Sequence, residues 1–551
     1  MKHFAALARR WALVLVAAGA TAALPAVADP VADAIHERID FVRETGQLTL
    51  DGSTLVSRAG LNQLYGSLGF QPLWREPGRV EELLELVRES VDDGLNPADY
   101  HLGALESLWR EVRIRPTPES LADLDVLASD AYMLLLYHLY FGKVDPLSLE
   151  PTWNFSTREV TGEQATEYVV RAITGGRLKE AAAAVRPAHW MYDHGRRALR
   201  AYRQIEAQGG WPQVPDGPTL KPGMTDPRVA ALRRRLAVTG DLMDQPLDGE
   251  LYDEALEAAV RSFQARHLLT ADGAVGRGTL RELNVPVGDR IRQIRVNLER
   301  ARHVLHEIGD EPMVAVDIAG FEVRWIEGRK VVWSSRVVVG QPMRQTPTFK
   351  AQIEYIVLNP TWTVPPGILQ KDVFPGIRRD PRYLEKKGLE VFDRNGRRID
   401  AGSIDWSRYT ARNFPYFLRQ ASGDDNALGR VKIMFPNPHL VYLHDTPARS
   451  LFEKDDRTFS SGCIRVEKPF ELAERLLAGT AWTREAMDAA VATGETRTVR
   501  LPKPVPVLLI YWTVDEDLQG RIVFKRDPYD RDPPLAAALD QPFRFGSRPP
   551  T

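Results

Sequence analysis

Residues 441–466 read Val441-Tyr442-Leu443-His444-Asp445-Thr446-Pro447-Ala448-Arg449-Ser450-Leu451-Phe452-Glu453-Lys454-Asp455-Asp456-Arg457-Thr458-Phe459-Ser460-Ser461-Gly462-Cys463-Ile464-Arg465-Val466. Cys463 is the single cysteine of the 551-residue chain. It follows a small Ser-Ser-Gly turn, and His444 ends an apolar, strand-like run upstream of it. A thiolate acyl-transfer site needs a nucleophile, a base and unengaged backbone N–H groups beside the nucleophile. This stretch holds all three, so it predicts a nucleophilic cysteine site on the edge of a β-rich domain.

Each member of the stretch has a part in that chemistry. A thiol with an ordinary value of about 8.5 is mostly protonated at neutral pH and needs a base. His444 stands where its strand ends, immediately before Asp445-Thr446-Pro447, and is preferred as base over His439, which lies in the preceding Pro-Asn-Pro-His loop. The second ring nitrogen of such a base needs an orienting acceptor. Asp445 supplies it through its backbone carbonyl, because neighbouring side chains on an extended run point to opposite faces. Backbone N–H groups of Ser461, Gly462 and Cys463 converge as oxyanion donors, with Gly462 permitting the sharp turn. Arg465 anchors the loop or contacts a substrate carboxylate.

Outward from this stretch, the hydrophobic period divides the chain. Residues 313–318, 321–326, 331–339, 353–358, 431–435 and 440–443 alternate with period 2 or run apolar, and 505–514 and 520–524 add closing strands. Residues 366–429 break that rhythm with proline, glycine and charge. An insertion of this length in a compact domain is a cap or binding loop. Before residue 312 the period is helical. Residues 29–215 form a helical domain, with an apolar stripe of Leu83, Leu84, Val87 and Val91 and a long helix over 120–140. A proline- and glycine-rich boundary follows. Residues 222–286 form a small three-helix unit, and 287–311 a connecting amphipathic helix. The catalytic domain then spans 312–530, and 531–551 is a loosely ordered tail. The fold class expected is therefore multi-domain α+β.

Residues 1–28 carry Lys2, Arg9 and Arg10, a short apolar run and Ala26-Val27-Ala28, the pattern of a cleaved secretory signal peptide. No later run reaches the about 18 apolar residues of a membrane span. The formal net charge is −2 with acids and bases interspersed, which excludes a basic nucleic-acid footprint. Histidines lack metal-ligand spacing, so neither metal nor cofactor is expected.

Two resemblances sharpen this reading. Leu232, Leu236, Gly240, Asp248-Gly249, Phe263-Gln264, Asp272-Gly273 and Thr279 resemble the three-helix peptidoglycan-binding domain. His444-Asp-Thr-Pro followed by Ser460-Ser-Gly-Cys463-Ile-Arg465-Val resembles the L,D-transpeptidases with a YkuD-type catalytic domain, and closest their large, multi-domain YcbB-like branch. Gln71-Pro-Leu-Trp74, Asp93-Gly-Leu-Asn-Pro-Ala-Asp-Tyr100, Thr361-Trp362-Thr-Val-Pro365 and Asn426-Ala-Leu-Gly429 extend the likeness over nearly all of the chain after residue 28. The resemblance implies a periplasmic enzyme acting on peptidoglycan. Cys463 attacks a tetrapeptide stem, D-alanine leaves, and a diaminopimelate amine on a neighbouring stem resolves the thioester into a 3→3 cross-link. It implies stem peptides as partners, admits peptidoglycan synthases, and makes Cys463 the residue carbapenems acylate. Trp362, Asn426 and Tyr442 are the expected substrate contacts. An L,D-carboxypeptidase or a wall-protein attachment or release enzyme would carry the same site. A non-catalytic peptidoglycan-binding scaffold is the rival of another class.

Overall fold

The structure, a computed structural model, describes residues 29–517 and 519–545. The signal peptide expected at 1–28 lies outside the described residues. Among the described residues no helix is long and apolar enough to cross a membrane.

The N-terminal unit is built around the helix Pro118–Phe141. Thr117 and Ser120 cap its start reciprocally, and Gly142 ends it. It is apolar on nearly every side, so it is buried all round, with helices Pro30–Thr45, Pro77–Glu89 and Leu102–Ile114 packed against it. Two buried carboxylates on this helix organise loops. Asp125 accepts the backbone N–H groups of Leu73 and Trp74, and Asp130 those of Val56 and Ser57. This is why the Gln71-Pro-Leu-Trp74 segment holds its place.

The packing divides before residue 215. The apolar core of the N-terminal unit ends with Val185, whereas Tyr192, Leu199 and Tyr202 from the helix Trp190–Ala207 pack with the catalytic sheet residues Met313, Ala315, Leu508 and Ile510. The helix Val287–Val304, expected as a one-sided connector, shares that interdomain core and is buried on several faces. Its charged residues are satisfied by neighbours: Arg302 pairs with Glu299, Arg300 with Asp532 and Arg290 with Glu282. Buried charges persist only when paired in this way.

The three-helix unit comprises Arg228–Val238, Glu254–Arg266 and Arg277–Leu283 around Leu232, Leu236, Leu256, Val260 and Phe263. Gln264 ties its last turn together, donating to Asp272, Ala274 O and Thr279 and accepting from Gly273 N. The unit is docked on the catalytic domain. Arg266, buried and paired in a fork with Asp241, also donates to the carbonyl of Ile522.

Among the described residues the main sheet of the β-rich domain has nine strands: β1 (Met313–Asp317), β2 (Glu322–Glu327), β3 (Lys330–Gly340), β4 (Phe349–Leu358), β5 (Val431–Met434), β6 (Leu443–His444), β7 (Thr458–Ser460), β8 (Ile464–Val466) and β9 (Arg497–Ile510). Their order is β7-β3-β8-β6-β5-β4-β9-β1-β2, and β2 also pairs with β3, so the sheet closes on itself. β6 and β8 run parallel, with Leu443 beside Ile464 and His444 beside Arg465. Val337, Val339, Ile433, Leu443, Ile464 and Val466 fill the interior. Alternation then sends Lys432, His444 and Arg465 to the opposite face.

The insertion is a subdomain with its own core of Val364, Leu369, Phe374, Leu389, Val391 and Leu418. It begins earlier than residue 366, because Trp362–Thr363 pairs with Phe417–Gln420. The C-terminal segment corrects the expectation of a loose tail. Asp532–Asp540 is a helix whose Leu535 and Leu539 pack on Val144 and Val296, each burial stabilising by about 2 kcal/mol. Lys143 also donates to Leu539 O. The segment fastens the N-terminal unit to the helix Val287–Val304. Sequence alone shows only a proline start and alanines there, because the apolar partners lie hundreds of residues away.

Candidate active site

The nucleophile turn joins β7 to β8. Ser460 is buried, and its hydroxyl donates to Cys463 O (2.6 Å) while accepting from Gly462 N (3.1 Å). Gly462 has φ +115°, a conformation that side chains rarely adopt. Its carbonyl accepts from Thr346 Oγ1 at 2.9 Å. The Gly462 N–H is therefore engaged and is not an open oxyanion donor, contrary to the sequence reading. Those of Ser461 and Cys463 carry no hydrogen bond among the described residues.

Cys463 Sγ lies 3.7 Å from the carbonyl of Leu440. That carbonyl is aimed by a turn built on Asn437, which accepts from His439 N and Val441 N and donates to the carbonyls of Phe435 and Val441. Leu440 itself adopts φ +56°. Burial pushes the thiol up, and the Tyr442 N–H and hydroxyl, then Lys432 and Arg465, act against that. Lys432 Nζ sits 3.9 Å from the Tyr442 ring centre.

His444 is buried, and its Nδ1 lies 2.5 Å from the Asp445 carbonyl oxygen. That contact presents Nε2 as the open nitrogen when Nδ1 carries the proton. Burial first, then Arg465 and Lys432, push its imidazolium down to about 3, against the opposing pull of the Asp445 carbonyl. The Asp445 carboxylate works elsewhere. It accepts from Arg430 N and Arg449, and it presses on Gly429, where a Cβ would stand 2.4 Å from it. His439 packs its ring on Phe349.

Arg465 and Lys432 flank His444 in register. Neither has an acidic partner among the described residues, and Arg465 Nε is buried without a hydrogen bond. Burial lowers both. Two half-buried cations without acidic partners among the described residues make a site suited to an anion. A loop-anchoring role for Arg465 finds no hydrogen bond to support it among the described residues.

Residues 311–498 match the profile described as "L,D-transpeptidase catalytic domain" of the YkuD family. Residues 311–498 are an L,D-transpeptidase catalytic domain. Residues 59–199 match a "Scaffold domain" and 225–283 a "Putative peptidoglycan binding domain". A Haemophilus influenzae protein named "Putative L,D-transpeptidase" is 35% identical over 219 residues, 40% of this chain and 44% of that protein. The match thus spans less than half the length of that relative. Among solved structures, an L,D-transpeptidase from Xylanimonas cellulosilytica is 16% identical (54% of this chain, 99% of that one, TM-score 0.18). One from Stackebrandtia nassauensis is 14% identical (54% and 96%, TM-score 0.22).

Within the L,D-transpeptidase domain the expected site residues gather unevenly. Cys463, His444, Asp445 O, Ser461, Arg465 and Tyr442 share one region. Trp362, at the root of the cap, reaches the Tyr442 side chain, which also meets the thiol. Asn426 does not join them. It is buried, accepting from Leu428 N and donating to Ala421 O, so it shapes the turn closing the cap and is not a substrate contact. Lys432, Asn437 and Leu440 were missed. Lys432 had a weak signal as the one charge in an apolar strand. The other two had none, because their roles come from where the loop carries a carbonyl.

Proposed function

We propose that the L,D-transpeptidase domain forms 3→3 cross-links between peptidoglycan stem peptides through a thioester on Cys463, outside the cytoplasm. One observation carries the reading: the lone thiol meets Tyr442, two residues before a buried His444 that is flanked in register by two cations without acidic partners among the described residues, at the root of an inserted cap. A tetrapeptide stem ending in a carboxylate suits those cations. Cys463 attacks the carbonyl of the third residue while His444 takes the thiol proton. The unengaged N–H groups of Ser461 and Cys463 serve as donors to the developing oxyanion. His444 returns the proton to the departing D-alanine amine, then deprotonates the incoming acceptor amine. The three-helix unit supports wall attachment, and its docking on the catalytic domain holds the two in one orientation.

The test is mass spectrometry of purified disaccharide-tetrapeptide after incubation with the enzyme. Cross-linked dimers that have lost one D-alanine are expected, and none with Cys463→Ala. Only tripeptide monomers would replace the proposal with L,D-carboxypeptidase activity. Unchanged tetrapeptide with both proteins would overturn it.

A further inference from the structure

The cap and the nucleophile turn meet at a side chain that belongs to neither. Arg344 closes the short turn Pro342–Arg344 after β3. Its guanidinium grips Asp372 of the cap in a fork, Nη1 to Oδ2 at 2.5 Å and Nη2 to Oδ1 at 2.9 Å. The same Nη1 donates to the Ser461 hydroxyl at 2.8 Å. Ser461 stands two residues before the nucleophile.

The base of Arg344 is rigid. Thr346 Oγ1 accepts from Gly340 N and donates to Gly462 O. Tyr529 donates its hydroxyl proton to Gly340 O and accepts from Thr346 N. Gly340 has no room for a side chain, since a Cβ would stand 2.2 Å from Arg344 O. What remains adjustable is the tip. The Arg344 side chain is 17% exposed, whereas that of Asp372 is 40% exposed. The cap has its own apolar core, so displacing it as a body moves Asp372 without unfolding it. The nucleophile turn needs external support, because Gly462 sits at φ +115° and the turn's internal hydrogen bonds are the two made by Ser460.

We propose that Arg344 is a positioning residue that couples the cap to the nucleophile turn. With Asp372 engaged, the planar fork fixes the guanidinium so that Nη1 holds the Ser461 hydroxyl. The Ser461–Cys463 turn then keeps its open N–H groups and its thiol directed together. With Asp372 withdrawn, the guanidinium loses the group that orients it and the turn relaxes. Cap position and nucleophile alignment thereby become one event. The catalytic consequence rests on the proposed cross-linking reading, but the coupling itself does not.

A double-mutant cycle between Asp372 and Ser461, which share Arg344 as partner, tests this. Asp372→Asn, Ser461→Ala, their combination and Arg344→Lys are compared in two assays on the full chain. The first is alkylation of Cys463 by iodoacetamide without substrate; the second is turnover of disaccharide-tetrapeptide. Each single variant is expected to slow alkylation about tenfold, with the double variant no slower than either. Arg344→Lys, which keeps the charge but loses the fork, should match Asp372→Asn. Turnover should fall in kcat with KM little changed. Additive losses in the double variant, or alkylation unchanged or faster in Asp372→Asn with an unaltered unfolding midpoint, overturn the coupling. Coupled alkylation without any tetrapeptide turnover in the unmodified protein leaves the coupling standing and overturns the functional reading. Tetrapeptide turnover with uncoupled alkylation does the reverse.

Discussion

Acid should destabilise this catalytic domain through His444, by an amount the structure sets. The residue is buried, and Lys432 and Arg465 stand in register on either side of it. Burial and those two cations hold its folded value at about 3, against an ordinary 6.5. Between those values the unfolded chain binds a proton that the native chain does not. Stability contributed by neutral His444 is therefore fully present above 6.5 and is lost as pH falls toward 3. Two pH units below 6.5 the loss is about 3 kcal/mol, at about 1.4 kcal/mol per unit. His444→Gln is neutral at every pH and isolates this contribution. Other acid-sensitive groups, such as buried His138, also held at about 3, are common to both proteins and cancel. Urea unfolding of the catalytic domain near pH 7.5 and near pH 4.5 is the assay. The stability difference between native sequence and variant should shift by about 3 kcal/mol in the variant's favour at the lower pH. A difference constant to within about 1 kcal/mol would refute the reasoning, because it would mean that the imidazole is hydrated or paired with an acid. The result bears on catalysis, since an imidazole held that low is neutral across the working range but a weak base, so it can take the thiol proton only as charge on the sulfur and substrate stabilises the imidazolium.

Two other perturbations separate binding from structure. Arg465→Gln should raise the KM for tetrapeptide at least tenfold while leaving the unfolding midpoint unchanged or higher, since it removes a half-buried charge without an acidic partner among the described residues; a lowered midpoint with normal kinetics would restore the loop-anchor role. Asp241→Asn leaves Arg266 buried and uncompensated at the docking surface, so thermal unfolding should show about 3 kcal/mol of lost stability. Proteolysis should then cut the chain at 208–225, and resistance equal to the native protein would show that the ion pair does not hold the three-helix unit in place.

The core of the reading was legible in a few residues. The only cysteine follows Ser-Ser-Gly, and a histidine precedes proline at a strand end, so nucleophile and base could be named from local chemistry. The change of period near residue 312 marked where helices give way to strands, because burial on one face imposes 3.6 or 2 on the sequence itself. Paired Asp-Gly turns and the Phe-Gln step outlined the three-helix unit in the same local way.

What tertiary structure decided are relations between distant positions. Parallel pairing of β6 with β8 sets His444 beside Arg465, and antiparallel pairing with β5 adds Lys432, so three separate strands set one neutral imidazole between two cations. No periodicity within a strand encodes its neighbour's register. Gly462, expected to offer its N–H, spends it on Ser460, and Asn426, expected in the cleft, is consumed by its own turn. Hydrogen-bond allocation of this kind depends on which acceptor the folded backbone brings within reach. The helix Asp532–Asp540 is held by Val144 and Val296, and Arg344 by Asp372 and Ser461. The sequence by itself determined which groups perform the chemistry, because reactivity resides in side chains. Only the tertiary structure decided how those groups are aimed, because aim is a property of long-range contacts that no local stretch contains.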